Sequence, residues 1–340
     1  MTIRIAIDAM GGDHGPVVTV AAAARALARH SVLELVLVGD QATLTQALRN
    51  NGLAEHPRVT VHHAQQIVEM HERPSLALRG KRESSMRKAI DLVKDGSAMA
   101  CVSAGNTGAL MAIARYVLKT LPGIDRPAIC ATLPGLLKTT HVLDLGANVD
   151  STSEELFRFA VMGAVLAEAV DNREHPSVAL LNIGEEEIKG NDRVKQTAVL
   201  LEKSPLNYVG FVEGDGIFAG RVDVIVCDGF VGNVALKASE GVARMLGDIA
   251  REEFKRSWFS KLGAVFASPT LKALRSRADP RRYNGASLVG LRGIVIKSHG
   301  SADAFSFEHA INVAVLEIEK AVPDRISHLL EELLAGSESL

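Results

Sequence analysis

Ile3-Arg-Ile-Ala-Ile-Asp8-Ala-Met-Gly-Gly-Asp-His-Gly-Pro16 is the stretch whose reading decides the fold. Ile3 to Ile7 is a short β-branched run and reads as a strand. Gly11, Gly12 and Gly15 follow it around Asp13 and His14. Glycine takes backbone angles closed to other residues and lets a ligand approach the main chain. Pro16 suits the first turn of a helix, and an alanine-rich helical pattern runs from Val17 to Arg29. A strand, a glycine turn and a helix form the first unit of an α/β fold.

The pattern repeats outward from there. Strands are expected at Leu33 to Val38, Val59 to His62, Ala98 to Val102, Ile129 to Leu133 and His141 to Leu145. Further strands read at Val178 to Ile183, Val209 to Val212, Val222 to Cys227 and Leu291 to Ile296. Helical patterns lie between them, at Thr43 to Asn50, after Asn106, at Ser153 to Val170, at Asp192 to Glu202, from Val231 onward, and in two parts over Ala304 to Leu334. The expected architecture is one α/β catalytic domain over 1–340, an open, mostly parallel, doubly wound sheet covered on both faces. The segment 251–282 is expected to stand out from it as a basic amphipathic insertion.

Composition narrows the function. The chain has 340 residues, is 47% apolar and 23% charged, and carries a formal net charge of −2. That suits a globular protein and argues against a general polyanion binder. No nucleic-acid motif accompanies the basic runs, so no nucleic-acid partner is expected. Cys101, Cys130 and Cys227 are far apart, form no CxxC and sit in or beside apolar runs, so they read as buried thiols. No signal peptide and no membrane span are expected, because charges interrupt every apolar stretch well short of a span. The expected location is cytoplasmic, with contact at a membrane surface only.

In open α/β sheets a ligand sits beyond the carboxyl ends of the strands, so the loops there carry the chemistry. The first offers Asp8, Gly11, Gly12, Asp13 and Gly15. It lacks the G-x-G-x-x-G spacing of a dinucleotide site, and Asp40 after Val-Gly does not replace that fingerprint. The second is Ser103-Ala-Gly-Asn-Thr-Gly108, where Ser103, Gly105, Asn106 and Thr107 open a helix and can face an anion. The third is Gly184-Glu-Glu-Glu-Ile-Lys-Gly-Asn191, whose Lys189 can neutralise an anion; its glutamates read as a solvated loop face and no metal is expected. The fourth is Asp228-Gly-Phe-Val-Gly-Asn-Val234, with Asp228 and Asn233, and the fifth is Lys297-Ser-His-Gly-Ser-Ala-Asp303, with His299 and Ser301. All five are expected at one end of one sheet, around a shared cleft.

From Arg251 to Arg282 nine lysines and arginines face three acids. Phe254, Trp258, Phe259, Leu262 and Phe266 lie among them, and Phe254, Trp258, Leu262 and Val265 share one helical face. Ser268-Pro269 breaks the pattern and predicts a hairpin of two helices there. Such a surface suits an anionic membrane or an acidic carrier protein, or else packs against a second copy of the chain. A second basic run, Arg79 to Lys88 with Lys81, Arg82 and Arg87, suits contact with carrier protein or with phosphate.

Together the loop over Ile7 to Pro16, Ser103 to Gly108, Asp228 to Asn233 and Ser298 to Asp303 resemble the acyl-ACP:phosphate acyltransferase family of bacterial phospholipid synthesis. The resemblance covers nearly the whole chain. It implies a homodimer with a fold akin to phosphate acetyltransferases and isocitrate-dehydrogenase-like enzymes, working without a cofactor. It implies transfer of a long-chain fatty acyl group from acyl carrier protein to inorganic phosphate, the product passing to a membrane-bound glycerol-3-phosphate acyltransferase. Phosphate is itself the nucleophile, in keeping with the absence of a Gly-x-Ser-x-Gly elbow. On that reading the loops at Gly11–Gly12 and Ser103–Thr107 seat phosphate. Lys189 and Asn233 stabilise the oxyanion or orient phosphate, His14 or His299 protonates the departing thiolate, and Asp13 or Asp228 orients the proton donor. The rivals are an enzyme acting on acetyl-CoA, a nicotinamide-dependent decarboxylating dehydrogenase, and a silent scaffold at the membrane surface.

Overall fold

A computed structural model describes residues 2–277 and 279–337, with the side chains of 274–277 and 334–337 left outside the description. Leu274, Arg275 and Arg277 of the basic stretch therefore have side chains outside the described residues.

The chain begins with β1 (Ile3–Asp8), α1 (Pro16–Arg29), β2 (Leu33–Gly39), α2 (Gln41–Asn50) and β3 (Val59–His63). Two helices the sequence did not signal follow, α3 (Pro74–Gly80) and α4 (Ser85–Lys94), then β4 (Ala100–Ser103) and α5 (Thr107–Leu118). The middle runs β5 (Ala128–Leu133), β6 (Thr140–Leu143), α6 (Ser153–Asp171), β7 (Ser177–Leu181), α7 (Asp192–Glu202), β8 (Asn207–Val212) and β9 (Val224–Val226). Last come α8 (Gly229–Lys255), α9 (Trp258–Arg277), β10 (Ala286–Val289), β11 (Ile294–Lys297), α10 (Ala304–Glu319) and α11 (Val322–Ser337).

The strands form one eleven-stranded sheet in the order β3-β2-β1-β4-β11-β10-β5-β6-β9-β7-β8. Pairing is parallel except at β11 with β10, β10 with β5, and β5 with β6. The sheet is thus open, mixed and mostly parallel, as expected. Three successive reversals also mean that β6, β9, β7 and β8 run opposite to β3, β2, β1, β4 and β11.

The core follows the strand pattern. β1 is buried at all but one position because helices cover both faces. On one face Ala6, Cys101, Val295, Leu288, Ile129, Val142 and Ile225 belong to a continuous apolar layer that crosses both halves of the sheet. On the other face the layer divides. One cluster packs Ile5, Ile7 and Leu35 with Ala22, Ala26, Phe307 and Ile311 of α1 and α10. The other packs Leu143, Leu180 and Val226 with Phe159, Met162 and Ile326 of α6 and α11. α6 is fixed at its start by a reciprocal cap: Glu155 N donates to Thr152 Oγ1 at 3.2 Å and Thr152 N to Glu155 Oε2 at 2.9 Å.

The basic segment does form two helices, but the break falls at Arg256–Ser257, not at Ser268–Pro269. Ser257 Oγ accepts from Ser260 N at 3.0 Å and starts α9 as a cap, while Pro269 is carried inside α9. From Gly241 to Glu253 every residue of α8 is exposed, so the protruding arm begins about three turns before the charge-rich stretch.

Candidate active site

The loops after β1, β4 and β11 interlock. Asp13 N donates to Gly300 O at 2.9 Å, and Ser298 N to Ser103 O at 2.8 Å. A Cβ at Gly11 would stand 2.6 Å from Asp8 Oδ2 and 2.8 Å from Gly105 N; one at Gly12, where φ is +88°, would stand 2.8 Å from Ala104 Cβ. Glycine is required here by close backbone approach and, at Gly12, by a left-handed angle. Asp8 is buried at the end of β1 and accepts from Ser103 Oγ at 2.6 Å, while its Oδ1 finds no partner among the described residues. Burial pushes its carboxyl above the usual aspartate range, opposed by the Ser103 bond.

Charge gathers beside this knot. Lys297, the last residue of β11, directs Nζ to Ala104 O at 3.3 Å and to Ser298 O. It makes no ion pair among the described residues. Burial pulls its pKa down to about 8, against the attraction of Asp8 and Asp13. Lys237, on the third turn of α8, donates to Glu240 Oε2 at 2.9 Å. The other oxygen of Glu240 lies 3.3 Å from His299 Nε2. Burial lowers the His299 pKa; Glu240 opposes this, and Lys237 and Lys297 add to it. Buried Asn284 pins the loop: its Oδ1 accepts from His299 N at 2.9 Å, and its Nδ2 donates to Ser298 Oγ and to Ser306 O, both at 2.8 Å.

The opposite edge is built differently. Asp144, buried after β6, accepts from the backbone N–H of Ile129, Gly146, Ala147 and Asn148 and from Asn148 Nδ2. Gly229 and Gly232 of α8 press on this loop, and a Cβ at Gly146 would stand 3.4 Å from the Asn233 side chain. Asp228 is the cap of α8 and accepts from Val231 N at 3.0 Å. Lys189 pairs with Glu186 at 3.0 Å in an exposed loop, and that hydrogen bond raises its pKa. Among the described residues no group of three or more His, Cys, Asp or Glu is placed to hold a metal ion.

Five loops around one end of the sheet was therefore the wrong expectation. Strand reversal places Asp8, Ser103 and Lys297 at one edge and Lys189, Asp228 and Asn233 at the other. α8 joins them: Asn233 faces the Gly146 loop, and seven residues later, about 10 Å along the helix, Glu240 faces His299. Three of the expected site side chains are also already engaged. Ser103 turns inward to Asp8, and Asn106 caps α5 at Ala109 N while its Nδ2 holds the carbonyls of Met70 and Glu72. Asp228 serves as a cap. Asp13, His14, Thr107 and Ser301 are exposed toward solvent, the His299 ring is about half covered beside Glu240, and Gly15, with φ +48°, precedes α1. The sequence reading missed Lys297, Lys237, Glu240 and Asn284. The signal for two of them was helical spacing, since Lys237 and Glu240 lie one and two turns beyond Asn233.

On the arm, Trp258 and Phe259 stack at 3.8 Å between centroids and are about two-thirds exposed. Leu262 and Phe266 are exposed and Phe254 is half-buried. Among the described residues no helix is long and apolar enough to cross a membrane. All three cysteines are buried and free, and burial raises each thiol well above its ordinary pKa.

Comparison with known proteins is consistent across sequence and fold. Residues 3–325 match the family described as fatty acid synthesis protein. The phosphate acyltransferase of Alkalilimnicola ehrlichii is 61% identical over 338 residues, covering 99% of each chain. That of Methylococcus capsulatus is 61% identical over 332 residues, covering 98% of each. A phosphotransacetylase from Streptococcus pyogenes has the same fold, with a TM-score of 0.64 at 20% identity, covering 93% of this chain and 94% of that one. A branched-chain phosphotransacylase from Enterococcus faecalis follows with a TM-score of 0.55 at 15% identity, covering 94% and 100%.

Proposed function

This chain belongs to the fatty acid synthesis protein family, an acyltransferase family whose curated relatives are phosphate acyltransferases, and we propose that it transfers a long-chain fatty acyl group from acyl carrier protein to inorganic phosphate. The acyl phosphate would feed phospholipid synthesis through a membrane-bound glycerol-3-phosphate acyltransferase. The observation that carries the reading is identity of 61% over essentially the whole of a phosphate acyltransferase. The exposed basic and aromatic arm supports the long-chain, membrane-side version of it over acetyl transfer. The same arm supports peripheral membrane contact, docking of an acidic carrier and pairing of two copies.

The chemistry asks little of a nucleophilic side chain. An oxygen of monohydrogen phosphate attacks the thioester carbonyl, a C–O bond forms, and the C–S bond breaks. The proton that phosphate carried ends on the departing sulfur, so charge and atoms balance without an added acid. No acyl-enzyme is required. The buried cysteines with raised thiol pKa and the inward-turned Ser103 are poor candidates for one. In this reading the chain positions phosphate and stabilises the tetrahedral oxyanion. The glycine edge, with main-chain groups of Gly11, Gly12 and Thr107, seats phosphate. Asn233 and Lys189 reach the carbonyl oxygen from the other edge, and the reacting atoms meet over the turns of α8 between Asn233 and Glu240. His299, paired with Glu240, relays the proton, with His14 as the solvent-side alternative.

The test mixes purified protein with palmitoyl carrier protein and inorganic phosphate, follows free carrier thiol, and traps acyl phosphate with hydroxylamine. Phosphate-dependent release of both products is the expected outcome. Turnover with acetyl-CoA but none with the acyl carrier protein would keep acyl transfer and overturn the donor.

A further inference from the structure

We infer that Lys297 and Lys237 form the anion subsite that receives inorganic phosphate, with Glu240 as the residue that positions Lys237 and His299 toward it. The inference deepens the proposed reaction and rests on it for the identity of the anion.

Lys297 is the lysine at the convergence of the three interlocked loops, and it is tied only to main-chain oxygens, those of Ala104 and Ser298. An ammonium has three donors, so two carbonyls hold the head in place and leave one hydrogen for a ligand. A half-buried lysine with no ion pair among the described residues retains most of its field for an incoming anion. Exposed lysines already paired, Lys189 with Glu186 and Lys237 with Glu240, keep less of theirs, so Lys297 is the principal charge of the subsite and Lys237 the lesser one. Lys237 comes from a different element, α8, and its charge acts on both Lys297 and His299. Glu240 binds Lys237 on one oxygen and faces His299 with the other. One carboxylate thus orders a cation and an imidazole along the helix, and Asn284 fixes the His299 backbone from behind. The groups facing Lys297 are Asp8 from β1, Asp13 from the following loop and Lys237 from α8. The nearby pair of carboxylates accounts for a lysine that stays charged at neutral pH despite its burial.

The consequence is a pH signature. With a pKa near 8, Lys297 is a cation at pH 7 and loses its charge as pH rises through 8. Apparent KM for phosphate then climbs above pH 8 in the wild type. Arginine stays charged throughout that range, so Lys297→Arg flattens the climb.

The experiment measures kcat and KM for phosphate between pH 6.5 and 9.5 for wild type, Lys297→Gln, Lys297→Arg and Lys237→Ala, with circular dichroism to confirm folding. Lys297→Gln is expected to raise the phosphate KM on the order of 10- to 100-fold at pH 7, the loss of one charge-assisted bond. Lys237→Ala, at a more exposed position, raises it less and tests the subsite even if the Lys297 variants misfold. Equilibrium dialysis with radiolabelled phosphate reads the same subsite without any acyl donor, so the subsite and the acyl-carrier reading fail separately. Weakened phosphate binding with the pH climb present only in the wild type supports the inference. An unchanged phosphate KM in folded Lys297→Gln, or a rise only in the KM for acyl carrier protein, overturns it.

Discussion

The two edges of the sheet carry loops of similar composition, glycine beside acid beside amide, and hold charge in opposite ways. At the edge of β1, β4 and β11, glycine contacts bring three loops into one knot, and Lys297 and Asp8 are drawn into it. At the edge of β6, β9 and β7, Asp144 is occupied by backbone donors and Asn148 Nδ2, and Lys189 pairs with Glu186 in the open. Burial of the lysine is what separates them. A charge withdrawn from water acts strongly on whatever ligand meets it, whereas an exposed pair is screened and largely self-satisfied. The first edge is suited to holding an anion, and the second to presenting donors from a firm frame.

The sharpest break of this comparison is steric. Gly11→Ala drives a methyl group into Asp8 Oδ2 and the backbone of Gly105, so it is expected to abolish measurable turnover and destabilise the fold on the order of 1–3 kcal/mol. A thermal melt and the acyl phosphate assay check both, and a variant as stable and active as wild type would show that the knot is loose. Next is Lys189→Ala. If the second edge stabilises the oxyanion, kcat falls roughly 10²-fold while the phosphate KM stays within a few-fold and the melting temperature is unchanged. The opposite split, a raised phosphate KM at constant kcat, would move phosphate to that edge.

A smaller effect belongs to the seam between the edges. Glu317 of α10 is buried against β10, accepts from Ser287 Oγ at 3.0 Å, and has its pKa pushed up by burial to about 8. Its folded pKa lies above the unfolded value near 4.5, so its neutral form is the one the fold prefers. Its contribution to stability is complete below about pH 4.5 and is lost progressively as pH rises toward 8. Glu317→Gln is expected to match wild type in melting temperature at pH 4.5 and to exceed it by several degrees at pH 8. Equal melting temperatures at both pH values would refute the buried neutral acid. Least affected of all is turnover in Phe266→Ser. That arm residue is 79% exposed, so activity on a soluble acyl donor is expected to hold within about twofold. Co-sedimentation with anionic vesicles is expected to fall, and undiminished sedimentation would remove Phe266 from the contact.

Much of this architecture was legible because helix and strand periods are imposed by the same burial that makes the core. β1, with alternating and continuous apolar positions from Ile3 to Ile7, announces itself. β10 did not, since Ala286–Val289 is four residues long and lies between Gly285 and Gly290. That short strand is antiparallel to both neighbours, so β11 and β5 still run the same way; the reversal that sets the two halves in opposite directions is the β5–β6 pair, and reading all the strands as parallel across it placed five loops at one edge. Pro269 misled in a similar way. Proline is a strong local breaker, but a helix pair is ended by whichever cap the packing favours, and here that is Ser257. Asn106 was read correctly as a polar residue at a helix start, whereas Ser103 is the buried last residue of β4. Which partners their donors meet depended on Met70, Glu72 and Asp8, which only the folded chain brings near.

One helix touches nearly everything described above. α8 has 27 residues, about 40 Å of nearly incompressible rod. Glu240 divides it, with Asn233 about 10 Å to one side and the arm's tip at Lys255 about 22 Å to the other. Anything that leans on the arm therefore works a lever with unequal limbs. A sideways push of about 4 Å at the tip, pivoting at Glu240, swings Asn233 by about 2 Å the other way. Displacements of about 1 Å already matter to reacting groups, so in the proposed reaction any surface that receives the arm would be geared to the aim of Asn233.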